Sequence, residues 1–322
     1  MVEVVALGEL LIDFTTEKKD EKGYPTMTAH PGGAPANFLA ALSRYGTETA
    51  FIGKVGDDAF GRLLKGTLEE AGISTKGLIF DPFHFTTLAF VTLDEKGNRE
   101  FSFSRKPGAD TFLSFPEVNY DLISEAKFLH FGSLSLTDEP ARTAVVMAVN
   151  EARRYQTLIS YDPNLRLPLW EDEDEAKQQL LWGLKQADVV KISDEEVNFL
   201  FALSPDEGAK HIMNEFKNVK LCYVTCGENG AYFINKNSMG FVPALKGLNV
   251  TDTTGARDIF GGSAMFGLLC SKKAPEELAV EELTAIVRFA STAAGLSTER
   301  AGGISSVPAL DEVIAKMKEV YE

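Results

Sequence analysis

The chain has 322 residues, 44% of them hydrophobic and 10% aromatic, which suits one large α/β domain or a main domain with a small appendage. Its 32 lysines and arginines stand against 47 acidic residues, a formal charge of −15, which argues against nucleic acid or an anionic membrane as an electrostatic partner but permits a locally basic pocket. Three cysteines without CxxC spacing, four scattered histidines and no apolar run near the roughly 20 residues of a bilayer span point away from disulfides, a zinc site and a transmembrane helix, and toward reduced thiols in the cytoplasm.

The opening MVEVVALGELLID lacks a basic n-region and reads as a first strand over residues 2–8 rather than a signal peptide. Glu9 follows, and Asp13 ends a second apolar patch, where an ordinary turn residue would also fit. Residues 14–29 turn polar and suggest an excursion away from the core. His30-Pro31-Gly32-Gly33-Ala34-Pro35-Ala36-Asn37 returns through a Gly/Pro-rich turn, and across Gly32-Gly33 backbone can approach a ligand closely. Phe38, Ala41, Leu42 and Tyr45 keep helical spacing up to Gly46. A strand is expected at 49–56 and a helix at 58–71, closed by Gly72. Gly56-x4-Gly61-Arg62-Leu63 lacks the Lys-Ser/Thr of a phosphate-binding P-loop.

Short alternating runs at 84–93 and 99–105, joined by a turn at 94–98, predict a hairpin. Together with the 14–29 excursion it would form a small sheet outside the main domain. Beyond Lys106, strands at 128–134, 158–163, 189–193 and 221–225 alternate with helical segments at 140–155, 176–185 and 194–203, the pattern of a parallel sheet flanked by helices. The acidic run at 171–175 reads as a solvated loop and helix start. A β-rich piece at 231–245 precedes NVTDTTGARDIFGGSAMFGLL at 249–269, and helices at about 276–297 and 308–320 end the chain.

In 249–269, two threonines and Gly255-Ala256 form a tight turn before an apolar helix starting at Asp258. Free N–H groups at such a terminus suit a phosphate or developing oxyanion. Taken alone, an acidic first turn on a buried helix explains the segment equally well. Other polar clusters also follow predicted strands, where open parallel sheets bind ligands: Asp13, Gly32-Gly33, Asp162-Pro163-Asn164-Leu165-Arg166, Ser193-Asp194-Glu195-Glu196 and Thr225-x-Gly227-x-x-Gly230. Ser193-x-x-Glu196 is equally a helix capping box, and Glu196 could instead orient waters around Mg²⁺. Asp162 and Arg166 could be a loop ion pair, and Arg105 a surface residue.

These segments resemble the ribokinase-type (PfkB) carbohydrate kinase family, and its fructokinases most, over nearly the whole chain. The resemblance rests on Gly32-Gly33-Ala34-Pro35-Ala36-Asn37, the 101–110 segment FSFSRKPGAD, Asp162-Pro163-Asn164-Leu165-Arg166, Lys191-Ile192-Ser193-Asp194-Glu195-Glu196 and Asp252-Thr253-Thr254-Gly255-Ala256-Arg257-Asp258, in the expected order. It implies a ribokinase-like (Rossmann-like) α/β fold whose mainly parallel sheet is flanked by helices. The core would comprise 1–12, 31–83 and 109–322, and a β-sheet lid 13–30 and 84–108. The implied activity is transfer of the ATP γ-phosphoryl to a fructose hydroxyl, with Asp258 as base and Gly255, Ala256 and Arg257 offering N–H groups.

Sugar contacts would come from Asp13, Gly32, Gly33, Asn37, Phe101, Phe103, Arg105, Asp162 and Arg166. ATP contacts would come from Lys191, Ser193, Thr225, Gly227 and Gly230. Glu196 would serve Mg²⁺ through water, and Asp252 with residues 297–303 a monovalent cation such as K⁺. A homodimer through the lid is the implied assembly. The sequence departs from the family at Arg257, where the pattern has glycine. An arginine there could crowd the anion hole or contact phosphate. Two alternatives therefore stand beside a fructokinase: a 2-keto-3-deoxygluconate kinase, and a weakened kinase that binds sugar or nucleotide.

Overall fold

The computed structural model describes residues 2–93 and 99–321, so the turn expected at 94–98 lies outside the described residues. Strand β1 (Val4–Leu7) is an unbroken apolar run, and both of its faces are buried, as a central parallel strand requires. The chain then leaves the core as a hairpin of β2 (Leu11–Lys19) and β3 (Pro25–Gly32), and re-enters through α1 (Ala34–Arg44). Strand β4 (Thr49–Gly56) and helix α2 (Ala59–Glu70) follow; the Asp58 side chain caps α2 by accepting from Gly61 N at 2.8 Å, and Gly72 at φ 76° ends it.

Next come β5 (Ile73–Asp81), β6 (Leu88–Leu93), β7 (Arg99–Ser104), α3 (Tyr120–Glu125), β8 (Phe128–Gly132) and α4 (Ala141–Arg154). The alternation continues with β9 (Leu158–Asp162), α5 (Glu173–Gln186), β10 (Val189–Ser193), α6 (Asp194–Phe201), α7 (Pro205–Glu215) and β11 (Leu221–Thr225). An antiparallel pair, β12 (Gly230–Asn235) and β13 (Met239–Pro243), leads to α8 (Ala256–Ser271), α9 (Val280–Ser297) and α10 (Leu310–Tyr321).

The strands form a nine-stranded sheet, β13-β12-β11-β10-β9-β8-β1-β4-β5, parallel from β11 to β5, and a separate four-stranded sheet, β3-β2-β6-β7. One hydrophobic layer joins α1, α2, α8, α9 and α10 to one face of the large sheet, and a second joins α3 to α7 to the other. Strand order reverses between β1 and β8, so a crevice opens at their carboxyl ends, the usual ligand position in such sheets. This is the ribokinase-like α/β architecture, with its smaller sheet, that the resemblance implied.

Several expected boundaries move. Residues 73–81, not expected as a strand, form β5; their apolar run is diluted by Ser74, Thr75 and Lys76 because β5 is a partly exposed edge. The helix expected over 194–203 stops at Phe201, where Ala202 turns left-handed at φ 54°, and a Ser204–Glu207 capping box with Pro205 starts α7. Asp13 lies within β2 rather than in a turn, and α8 starts at Ala256, two residues before Asp258.

Helices α1 and α8 touch where Gly262 meets Phe38. A Cβ on Gly262 would stand 2.2 Å from the Phe38 carbonyl oxygen, backbone that cannot step aside. Gly262→Ala is therefore expected to cost about 1–3 kcal/mol of stability, the usual scale of overpacking. Gly66→Ala, inside α2 with nothing within 4 Å, is the control and should gain stability by about 0.5–1 kcal/mol. Urea denaturation of both variants checks the pair.

Candidate active site

The first turn of α8 opens from Gly255, left-handed at φ 73°, and no side chain caps the helix. Gly255 needs its missing Cβ twice over: besides φ, a Cβ would lie 2.9 Å from Gly303 Cα and 3.1 Å from Asn37 Nδ2. The N-terminal N–H groups here, with the helix dipole, form a site for an anion. Asp258, the third helical residue, accepts a hydrogen bond from Asn37 Nδ2 at 2.9 Å.

Asn37 is set by its own glycine turn. Gly33 caps α1 at φ 121°, where a Cβ would lie 2.5 Å from the Glu9 carbonyl, and the buried Glu9 carboxylate accepts from Ala34 N at 3.0 Å. The next residue, Phe38, stacks on buried His130 at 3.7 Å between ring centroids, so the start of α1 rests on β8. Burial pushes the His130 imidazole down to about 3, which keeps it a neutral stacking partner.

From the small sheet, register places His30, Asp13, Ala89 and Phe103 in one row across β3, β2, β6 and β7. Gly32 leaves room for Asp13, whose Oδ2 would lie 2.4 Å from a Cβ there. Burial pushes the Asp13 carboxyl up to about 7; Arg166 opposes this, while Asp258 and Asp252 add to it. Burial, then Asp162, pushes Asp258 up to about 6 against the pull of Lys191, the Asn37 hydrogen bond and Arg166. Asp162 ends β9 and bonds buried Lys191 of β10 at 2.8 Å. Asp13, Asn37, Asp162, Arg166, Lys191 and the 255–258 turn therefore share one electrostatic neighbourhood, and Gly32 and Gly33 shape it.

The remaining candidates sit as follows. Arg105 is buried: Nε donates to Asp110 Oδ2 at 2.8 Å, Nη1 to Thr137 Oγ1 at 2.7 Å and Nη2 to the Leu134 carbonyl at 2.8 Å. The side chain of Phe101 lies outside the described ones. Ser193 caps α6 in a true capping box, and both Glu196 oxygens are engaged, by Leu165 N and Ser193 N, each at 2.8 Å. In register with Ser193, Thr225 ends β11 and turns its hydroxyl toward the Ile192 carbonyl. Gly227 stands in open space just beyond, whereas Gly230 is required by the Val242 carbonyl, 2.2 Å from its would-be Cβ. Asp252 accepts from Thr254 N and from Gly302 N, both at 2.9 Å, and so ties the α8 loop to residues 297–303.

Arg257 is the residue at which the sequence departs from the family pattern. Its guanidinium turns outward to Glu195 at 2.9 Å, with 46% of the side chain exposed, so it does not fill the turn its backbone helps to build. Sequence reasoning passed over two residues that matter here. Glu9 meets the Gly33 turn only after the β2–β3 hairpin returns, a tertiary contact that sequence spacing does not show, and Glu195 is hidden in the acidic 194–196 run. Among the described residues, no group of three or more His, Cys, Asp or Glu side chains is arranged to hold a metal ion.

A family model described as pfkB family carbohydrate kinase matches residues 1–310. Probable fructokinase-4 of Arabidopsis thaliana is 40% identical over 317 residues, which cover 98% of this chain and 96% of that protein. Among solved structures, a fructokinase from Xylella fastidiosa with bound ATP superposes with a TM-score of 0.91 at 29% identity over 100% of both chains. A fructokinase from Vibrio cholerae O395 in fructose, ADP and calcium ion bound form gives 0.87 at 32% identity over 98% of each chain.

The carboxyl shifts carry a stability consequence. Both Asp13 and Asp258 hold their protons more tightly in the fold than in the unfolded chain. The stability they contribute is thus complete below about pH 4 and lost as pH rises through about 6 for Asp258 and about 7 for Asp13. Thermal melts should show Asp258→Asn and Asp13→Asn more stable than the parent at pH 8, with the gap closing by pH 4.

Proposed function

The chain belongs to the pfkB family of carbohydrate kinases, and from that premise we propose that it is a fructokinase, with ATP as phosphoryl donor. The observation that carries the proposal is Asp258, hydrogen-bonded to Asn37 at 2.9 Å beside an uncapped helix start. The fructose hydroxyl donates its hydrogen bond to Asp258. As its oxygen bonds the γ-phosphorus, the bond from that phosphorus to the β,γ-bridging oxygen breaks, the proton passes to Asp258 and ADP leaves. The 255–257 N–H groups meet the charge on the moving phosphoryl group. With its carboxyl raised to about 6, Asp258 is mostly ionised at neutral pH yet more basic than an ordinary aspartate.

Asp13, Asn37, Asp162 and Arg166 hold the sugar, with Phe103 on the same row of the small sheet as Asp13. We read the segments 13–30 and 84–108, which carry most of that sheet, as a lid over the core segments 1–12, 31–83 and 109–322. Its closure keeps water from competing for the phosphoryl group. Arg105 and Lys191 take indirect parts: Arg105 anchors the return from β7 to the core through Asp110, and Lys191 balances Asp162. Both of these cations are thus occupied within the chain, which leaves Arg166, already facing Asp13 and Asp258, as the cation nearest the sugar and favours a neutral acceptor over the carboxylate-bearing 2-keto-3-deoxygluconate. The outward Arg257 likewise speaks against a weakened kinase.

ATP lies along Ser193, Thr225, Gly227 and Gly230. The residues present fit a Mg²⁺ ion carried in on the polyphosphate, with Glu196 reaching it through water, because both Glu196 oxygens already accept backbone N–H groups. Such an ion supplies neutralising charge on the phosphates. K⁺ would stiffen the loop that Asp252 ties to Gly302. Free cysteines and the need for ATP favour a cytoplasmic setting, and β3 and β7, the outer strands of the small sheet, offer edges for a homodimer.

Coupled assays over a sugar panel should show fructose as the preferred acceptor; turnover of 2-keto-3-deoxygluconate in its place would overturn the assignment. Asp258→Asn should lower kcat about 10²–10⁴-fold while calorimetry finds ATP affinity nearly intact.

A further inference from the structure

Arg257 is the second residue of α8 and Glu195 the second residue of α6, so their 2.9 Å ion pair bridges two helix starts. On the kinase reading, on which this inference rests, the polyphosphate passes between those starts, from Ser193 to the 255–258 turn. That corner is acidic: Asp194, Glu195 and Glu196 fill the first turn of α6, and Glu196 and Asp162 also act on the guanidinium. Mg·ATP still carries net negative charge, so a nucleotide entering here meets repulsion that a protein cation at this corner would offset. Lys191 and Arg105 are buried and bonded to Asp162 and Asp110. Arg257 differs from both. It is half-exposed, and Glu195 is 73% exposed, so water screens their bond and the pair is weak.

We propose that Arg257 is a cationic arm for the polyphosphate of the nucleotide, held on Glu195 and handed from that carboxylate to phosphate oxygens when the nucleotide binds. A guanidinium suits the task, since its planar fork pairs with phosphate through two charge-assisted bonds. Glu195 acts as a competing acceptor that parks the arm outside the turn, which explains how an arginine fits where backbone N–H groups must stay open. The arm engages the phosphates and leaves the adenosine untouched, so its loss should separate ATP from AMP.

The test uses the full chain, Arg257→Ala, Arg257→Lys and Glu195→Gln, with calorimetry of Mg·ATP and of AMP beside coupled kinase assays. Arg257→Ala should weaken ATP about tenfold or more, the scale of one charge-assisted hydrogen bond, leave AMP unchanged and lower kcat. Arg257→Lys should fall between the two. Glu195→Gln, which removes the competing charge, should bind ATP more tightly with AMP unchanged. Parental ATP affinity in Arg257→Ala, or a rise in its kcat, overturns the arm. If Arg257→Ala melts early, Glu195→Gln decides: an unchanged ATP-to-AMP affinity ratio overturns the proposal. A parent chain that binds ATP but phosphorylates no sugar would defeat the kinase reading alone, since the affinities still judge the arm.

Discussion

The site depends on one hydrogen bond, from Asn37 to Asp258, which joins the starts of α1 and α8 across 221 residues of sequence. Two helix starts can meet this closely only where side chains are missing. Gly33, Gly255 and Gly262 each stand where a Cβ would strike backbone, and a Cβ on Gly303 would lie 2.2 Å from Asn37 Oδ1. The glycines therefore hold a distance, and with it the direction in which the Asp258 carboxylate points. Glu9 and the Phe38–His130 stack fix the α1 side, and Asp252 with Gly302 fixes the α8 side.

This arrangement concentrates negative charge. Asp258 and Asp252 act on Asp13 and Asp162 acts on Asp258, and burial keeps the carboxyls of Asp13 and Asp258 above the ordinary aspartate range. On the proposed mechanism that cost at neutral pH leaves Asp258 more basic than an ordinary aspartate, which suits a proton acceptor. Lys191 and Arg105 pair with buried acids, and Arg257 pairs with Glu195 at the solvent edge.

Much of this was legible in the sequence. The alternation after Lys106 and the turn residues at Gly46 and Gly72 gave the parallel sheet and its helices, because burial on both faces leaves unbroken apolar runs. The clusters after strands lie where expected, at the carboxyl ends of β9, β10 and β11. Strand β5 was missed because an edge strand need not be uniformly apolar. The fate of particular charges was also hidden. Nothing in the spacing says that Arg105 turns inward to Asp110 or that Arg257 turns outward to Glu195, since those partners are chosen by tertiary packing. Glu196 shows the converse: its capping box was read from Ser193-x-x-Glu196, but the second bond, from Leu165 N, came only with the fold.

The proposed transfer requires the acceptor hydroxyl to meet Asp258 at the start of α8. A crystal structure of the chain with fructose and a non-hydrolysable ATP analogue measures this directly. One fructose hydroxyl oxygen should lie at hydrogen-bond distance from Asp258, roughly 2.6–3.2 Å, and in line with the γ-phosphorus, whose oxygens face the 255–257 N–H groups. A fructose whose reactive hydroxyl faces another base, or a γ-phosphate seated away from that turn, would contradict it.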